Sequence, residues 1–253
     1  TNLDGLTFTS AGDVTFGNDA ANDQVNLTTA AVTITTTGAG DDLTFISKVD
    51  GGQDLALNVV GATDFQGVVG SVTAIGDGTG AAITINSTGA TEFDLTLATA
   101  SGITSANGAG AITFRGDVTI AAGDTATTLI NAVTNLDGLT FTSAGDVTFG
   151  NAAGTDQVNL TTAAVTITTT TAGTLTFTSK VDGRFDLTLN TAGLATFSGA
   201  VGSGGTGEIG DGTGAAITIN SAGGTTFAST VEAQSGITSA DTAGAITFSD
   251  DVT

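Results

Sequence analysis

The chain has no cysteine, proline, methionine, tryptophan, tyrosine or histidine. Each absence removes some chemistry. Without cysteine there is no disulfide and no thiolate nucleophile, so cysteine usage gives no reading of the redox compartment. Without histidine the commonest general base and transition-metal ligand is missing. Without methionine there is no initiator residue, which marks a processed chain or a window cut from a longer array. Cations are scarce: 4 Lys+Arg stand against 25 Asp+Glu, a formal net charge of −21. Such a surface repels nucleic acid and anionic membranes. No long apolar run suggests a membrane span, and no signal peptide is visible in these residues.

What is present is repetition. TNLDGLTFTSAGDVTFGN at Thr1 returns at Thr134, and VNLTTAAVTITTT at Val25 returns at Val158. IGDGTGAAITIN occurs at 75–86 and again at 209–220. The offsets stay within a residue or so of 133, so two copies fill the chain, 1–133 and an incomplete 134–253. Inside each copy, short triads recur: Leu6-Thr7-Phe8, Val14-Thr15-Phe16, Val32-Thr33-Ile34, Leu43-Thr44-Phe45, Ile83-Thr84-Ile85. Each reads apolar–polar–apolar, the period-two signature of a strand with one buried face. Thr, Val, Ile and Phe favour strands, and Gly, Asn and Asp between the triads favour turns.

The triads are too short for a sandwich. The interval from Val14 to Val32 is the same as that from Val25 to Leu43. The reading is an all-β parallel β-helix, or β-solenoid, of about 18–19 residues per turn. About fourteen turns at roughly 4.8 Å would make a rod about 65 Å long. The alternative is two packed all-β repeat domains.

Gly76, Gly78 and Gly80 look at first like a phosphate-binding loop. A dinucleotide loop needs G-x-G-x-x-G leading into a helix, whose N-terminus holds the pyrophosphate. Here the spacing is G-x-G-x-G and a strand-like Ile83-Thr84-Ile85 follows. The loop reads as a tight turn needing positive φ.

Calcium is the stronger chemical candidate, because it takes several oxygens from Asp, Asn and backbone in Gly-rich turns. The acidic turn residues chosen as its ligands are Asp19, Asp23, Asp41, Asp42, Asp77, Asp156 and Asp211. Against this, there is no nonapeptide calcium array and no twelve-residue EF-hand loop. The plain alternative is solvated turn residues that keep a rod soluble. No cofactor other than calcium is expected.

No catalytic constellation stands out, so the expectation is a protein that is not an enzyme. Of the four cations only Lys48 and Lys180 match between copies; Arg115 aligns with Ser249 and Arg184 with Gly52. Thr-x-Thr pairs recur at Thr7/Thr9, Thr33/Thr35, Thr140/Thr142, Thr166/Thr168 and Thr176/Thr178. Stacked in a solenoid they would form flat rows, similar to the faces of ice-binding solenoids.

The units LTFTSKVDG, LTLNTAG, TFSGAVGS, ITFSDDVT and AGDVTFGN run through the whole chain. They resemble the large secreted β-strand-repeat proteins of bacteria, the filamentous-haemagglutinin-like and autotransporter-like surface proteins. That resemblance implies a right-handed parallel β-helix, secretion across the outer membrane, and a cell-surface role in adhesion, filaments or surface layers. It supplies no catalytic residues. The function expected is a structural repeat module of an extracellular surface rod. The alternatives are a calcium- or glycan-binding adhesin module and an ice-binding solenoid. The expected partners are neighbouring repeats or other copies of the chain, or glycans and cell surfaces, with neither nucleic acid nor membrane insertion.

Overall fold

The computed structural model describes residues 1–121, 126–152, 155–202 and 207–253. The chain is a parallel β-solenoid with three faces, A, B and C, visited in that order on every turn. The lowest turns carry β1 (Asn2–Asp4), β2 (Thr7–Ser10), β3 (Val14–Phe16), then β4 (Gln24–Thr28), β5 (Val32–Thr36), β6 (Leu43–Phe45). Next come β7 (Lys48–Asp50), β8 (Leu55–Asn58), β9 (Thr63–Phe65), then β10 (Ile83–Ile85) and β11 (Thr91–Phe93). The middle turns hold β12 (Leu97–Thr99), β13 (Ile103–Ser105), β14 (Ile112–Phe114), β15 (Val118–Ile120), β16 (Thr127–Leu129) and β17 (Val133–Asp137). Above them lie β18 (Thr140–Ser143), β19 (Val147–Phe149), β20 (Gln157–Thr161), β21 (Val165–Thr169), β22 (Leu175–Phe177) and β23 (Lys180–Asp182). The top turns hold β24 (Leu187–Thr191), β25 (Ala195–Phe197), β26 (Ala215–Ile219), β27 (Thr225–Phe227), β28 (Gly236–Ser239) and β29 (Ile246–Phe248).

Face B is one uninterrupted eleven-stranded sheet, β2-β5-β8-β10-β13-β16-β19-β22-β25-β27-β29, so the chain climbs ten full turns between its first and last strands. Faces A and C thin in places to single bridging residues. Val69 joins β7 to β12 on face A, and Val201, Val231 and Val252 continue face C above β23. Every strand pairing is parallel. Each turn donates its N–H groups to the carbonyls of a neighbouring turn, which satisfies the backbone without helices.

The triads fold this way because their outer residues point inward and their central residue points out. Ile83, Ile85, Phe114 and Ile167 are fully buried. Twelve Phe rings touch in one continuous column from Phe8 to Phe248, stacked except for edge-on contacts at Phe8/Phe16, Phe114/Phe141 and Phe141/Phe149. Phe45, Phe65 and Phe93 lie nearly parallel with centroids 4.7 Å apart, the spacing of the sheet itself.

Two sequence expectations need correcting. One turn is longer than the triad interval suggests, from about 20 residues (Leu43 to Thr63) to about 30 (Thr196 to Thr226), and there are about ten turns rather than fourteen. The reason is that a turn visits three faces, each with a short strand or a single bridging residue. Val14 and Val32 lie on faces C and B, and Val14 pairs with Leu43. Identical-looking triads on different faces imitate a shorter period. The copy boundary at 133/134 falls inside β17 and one apolar core runs through both copies, so the chain is one continuous solenoid, as the sequence reading expects, and the alternative of two packed domains is set aside.

The long repeat also fails to match a whole number of turns. Five turns above β2 lies β16, and the repeat of β2 is β18, two strands further on. Each copy therefore spans about five and two-thirds turns. A motif on face B in the first copy returns on face A in the second, and one on face C returns on face B. The Phe column shows the join: Phe114 on face C passes edge-on to Phe141 on face A, then to Phe149 on face B.

Candidate functional site

The glycine loops preceding Ile83 and Ile217 are turns. Asp77 Oδ1 accepts hydrogen bonds from Thr79 N (2.8 Å) and Thr79 Oγ1 (2.7 Å), and Asp211 does the same with Thr213 at 2.7 and 2.6 Å. Gly76 has φ +103° and Gly210 has φ +104°, conformations that favour glycine. Both loops run into strands, β10 and β26, with no helix to receive a phosphate.

The remaining proposed calcium ligands also close turns. Asp19 accepts from Ala21 N (2.8 Å), Asn22 N and Asn22 Nδ2. Asp23 accepts from Asn18 N at 3.0 Å, and Asp41 from Gly38 N at 2.6 Å. Asp42 reaches the next turn, where it accepts from Ala62 N at 2.7 Å. Asp156, buried, accepts from Asn151 N at 2.7 Å and Ala152 N at 3.0 Å. The hydroxyl of Thr79 and its N–H hold Asp77 below the ordinary carboxylate range, and Thr213 does the same for Asp211. The amide of Asn22 lowers Asp19 in the same way. These carboxylates serve as acceptors for loop N–H groups, with Asp19 and Asp23 sharing one loop and Asp41 and Asp42 another.

The residues that do converge are different ones. Asp64, Glu92 and Asp94 bring carboxylate oxygens within 4.8 Å of one another on face C. Asp64 sits at the centre of β9, and Glu92 stands directly above it at the centre of β11. Arg115, just after β14, crosses to them: its Nη1 lies 2.7 Å from Glu92 Oε2 and 2.5 Å from Asp94 Oδ1. Its Nε is 3.6 Å from Asp137 Oδ2 one turn higher. Glu92 first, and Asp94 next, raise the pKa of the guanidinium further. Burial pushes the Asp137 carboxyl up, opposed by Arg115. The group ties the turns of β11, β14 and β17 together at a half-exposed surface, where each ion pair contributes at most about 1 kcal/mol.

This cluster is not legible from the sequence without the turn length. Asp64 and Glu92 are neighbours only when the turn between them is given its full length; the shorter period read from the triads puts them on different faces. The usable signal is that TDF and TEF carry acids at the centre of a triad, where Thr is the rule.

Elsewhere the described surface offers little chemistry. A groove beside Val69 is lined by Val68–Ser71, Thr96–Ala98, Asp117 and Thr119, with Asp117 its one ionisable group. Among the described residues no helix is long and apolar enough to cross a membrane. The Thr pairs do stack as expected: Thr7/Thr9 under Thr33/Thr35 on face B, and Thr140/Thr142 under Thr166/Thr168 on face A. No family model, curated protein or solved structure matches the chain.

Proposed function

We propose that the chain is a stiff spacer, a structural segment of an extracellular bacterial rod or filament that sets distance at the cell surface. The observation that carries this reading is the unbroken core: a continuous column of twelve Phe rings in contact and an eleven-stranded sheet run the full length. A solenoid of this kind transmits load between neighbouring turns and gains length by adding repeats. Many of the carboxylates close turns or cross-link them, which suits a mechanical role.

Electron microscopy of the native protein, with and without a calcium chelator, tests this. Thin rods of constant width, unchanged by the chelator, are expected, because the Asp turns are closed by backbone N–H groups. Compact particles would sink the spacer reading. Rods that dissolve on chelation would move it to a calcium-dependent adhesin. The stacked Thr rows support a second reading, binding to ice, which ice-crystal shaping by the isolated chain would reveal.

A further inference from the structure

Among the described strands, face B is uncharged from bottom to top, whereas face A is uncharged only from β12 upward and carries Asp4, Lys48 and Asp50 below. Its central outward column reads Thr7, Thr33, Ala56, Thr84, Thr104, Thr128, Thr148, Thr176, Thr196, Thr226 and Thr247 from bottom to top. Among the described residues, no strand of face B presents a charged side chain outward. On face C the same central column contains Asp64 and Glu92.

The two copies explain how this arises. Strands β3, β6, β9, β11 and β14 on face C recur as β19, β22, β25, β27 and β29 on face B. The copies are close to identical in long stretches, yet several charges on and beside these strands are lost when the block moves to face B, among them both acids at triad centres. Asp42 becomes Thr174, Asp64 becomes Thr196, Glu92 becomes Thr226, Asp94 becomes Ala228 and Arg115 becomes Ser249. The corner acids follow no single rule: Asp13 recurs as Asp146, whereas Asp19 is replaced by Ala152. On these strands, charge follows the face rather than the repeat.

We infer that face B is a lateral contact surface for a second copy of this chain. Two rods of net charge −21 repel one another, so contact through any acidic face is opposed. A neutral face relieves that locally. A second copy also has the same rise per turn, so Thr columns on two rods stay in step along their whole length, and β-branched side chains interdigitate well. The face measures about 50 Å by 10 Å, which buries about 1,000 Å² over both partners, enough for a weak, reversible pair. Screening of the residual repulsion makes the pairing stronger as salt rises. The inference deepens the spacer reading by naming how rods bundle. Rods that never pair would overturn it and leave the spacer intact.

The test uses the whole chain in sedimentation velocity, from low to high salt. A dimer that strengthens with salt is expected. Thr196→Asp with Thr226→Glu, the residues the first copy already carries in the same triads, should weaken dimerisation at least tenfold with an unchanged circular dichroism spectrum. Thr44→Asp on face C should leave it unaltered. Cysteine cross-linking serves as the second measurement, since the chain has no native cysteine. Thr128→Cys, midway along the column, meets its own copy in either in-register pairing and should give a covalent dimer on oxidation, whereas Thr44→Cys should not. A monomer under all salt conditions, equal cross-linking from both faces, or dimers indifferent to the face B charges would each overturn the proposal. A monomer that shapes ice crystals would overturn it too and assign the face to ice.

Discussion

Thr63, Thr91 and Thr225 point into the rod and are fully buried, and their hydroxyls find no hydrogen-bond partner. An unpaired buried hydroxyl costs about 1–3 kcal/mol, while an apolar group of the same shape costs nothing there. Thr63→Val is therefore expected to raise stability by about 1 kcal/mol in urea unfolding. A loss of stability would mean that the hydroxyl has a partner after all. Asp54 shows the same tension with charge. Burial raises its carboxyl above the ordinary 3.8, with Asp77 adding like-charge repulsion. A group raised on folding binds its proton more tightly in the folded state. Its contribution is favourable at low pH and is lost as pH rises from 3.8 through the folded value. Asp54→Asn keeps an acceptor for Asp77 N and removes this penalty. The variant should gain stability at neutral pH and gain nothing well below pH 3.8, as pH-dependent denaturation can show. Asp19, Asp77 and Asp211 have the opposite sign: hydrogen bonds lower them, so their contribution is present above the unfolded value and lost as pH falls through the folded one.

At the scale of strands and turns, glycine position matters more than glycine number. A Cβ on Gly76 would lie 2.5 Å from the Cβ of Ala82 at a φ of +103°. One on Gly78 would meet nothing within 4 Å, at φ +87°. Gly76→Ala should then destabilise clearly more than Gly78→Ala, which bears only the backbone penalty of about 1 kcal/mol. Equal losses in thermal unfolding would mean the loop has room to shift. The triads themselves were legible in the sequence, since Leu43-Thr44-Phe45 declares its own buried and exposed positions. What the sequence left open was which triad stacks on which. Every face uses the same apolar–Thr–apolar code, so Val32 is as good a neighbour for Val14 as its true partner Leu43. The acidic turn residues were legible as turns for the same local reason. The Arg115 cluster was not, because it depends on register across turns of unequal length.

For the whole molecule, the decisive quantity is the turn, and loop lengths vary around it. Thr63 and Thr91 pair one turn apart on face C, so the stretch 63–90 makes up one whole turn. Removing residues 63–90 joins Ala62 to Thr91, keeps the order B, C, A along the chain, and seats Phe93 on Phe45 in place of Phe65. Contacts in a solenoid are nearest-neighbour, so the shortened chain should fold with its β-sheet spectrum intact and unfold at a similar temperature. Its length should fall by about 4.8 Å. Removing only 63–81, a piece of the length that triad spacing suggests, places Ala82 at the face C position and carries the Ile83 strand off face B. Every turn above the cut then meets the wrong face below it. That variant should lose its cooperative transition or expose apolar surface to a dye such as ANS. If instead the 63–81 deletion were tolerated and the 63–90 deletion were not, the three-faced turn would be wrong.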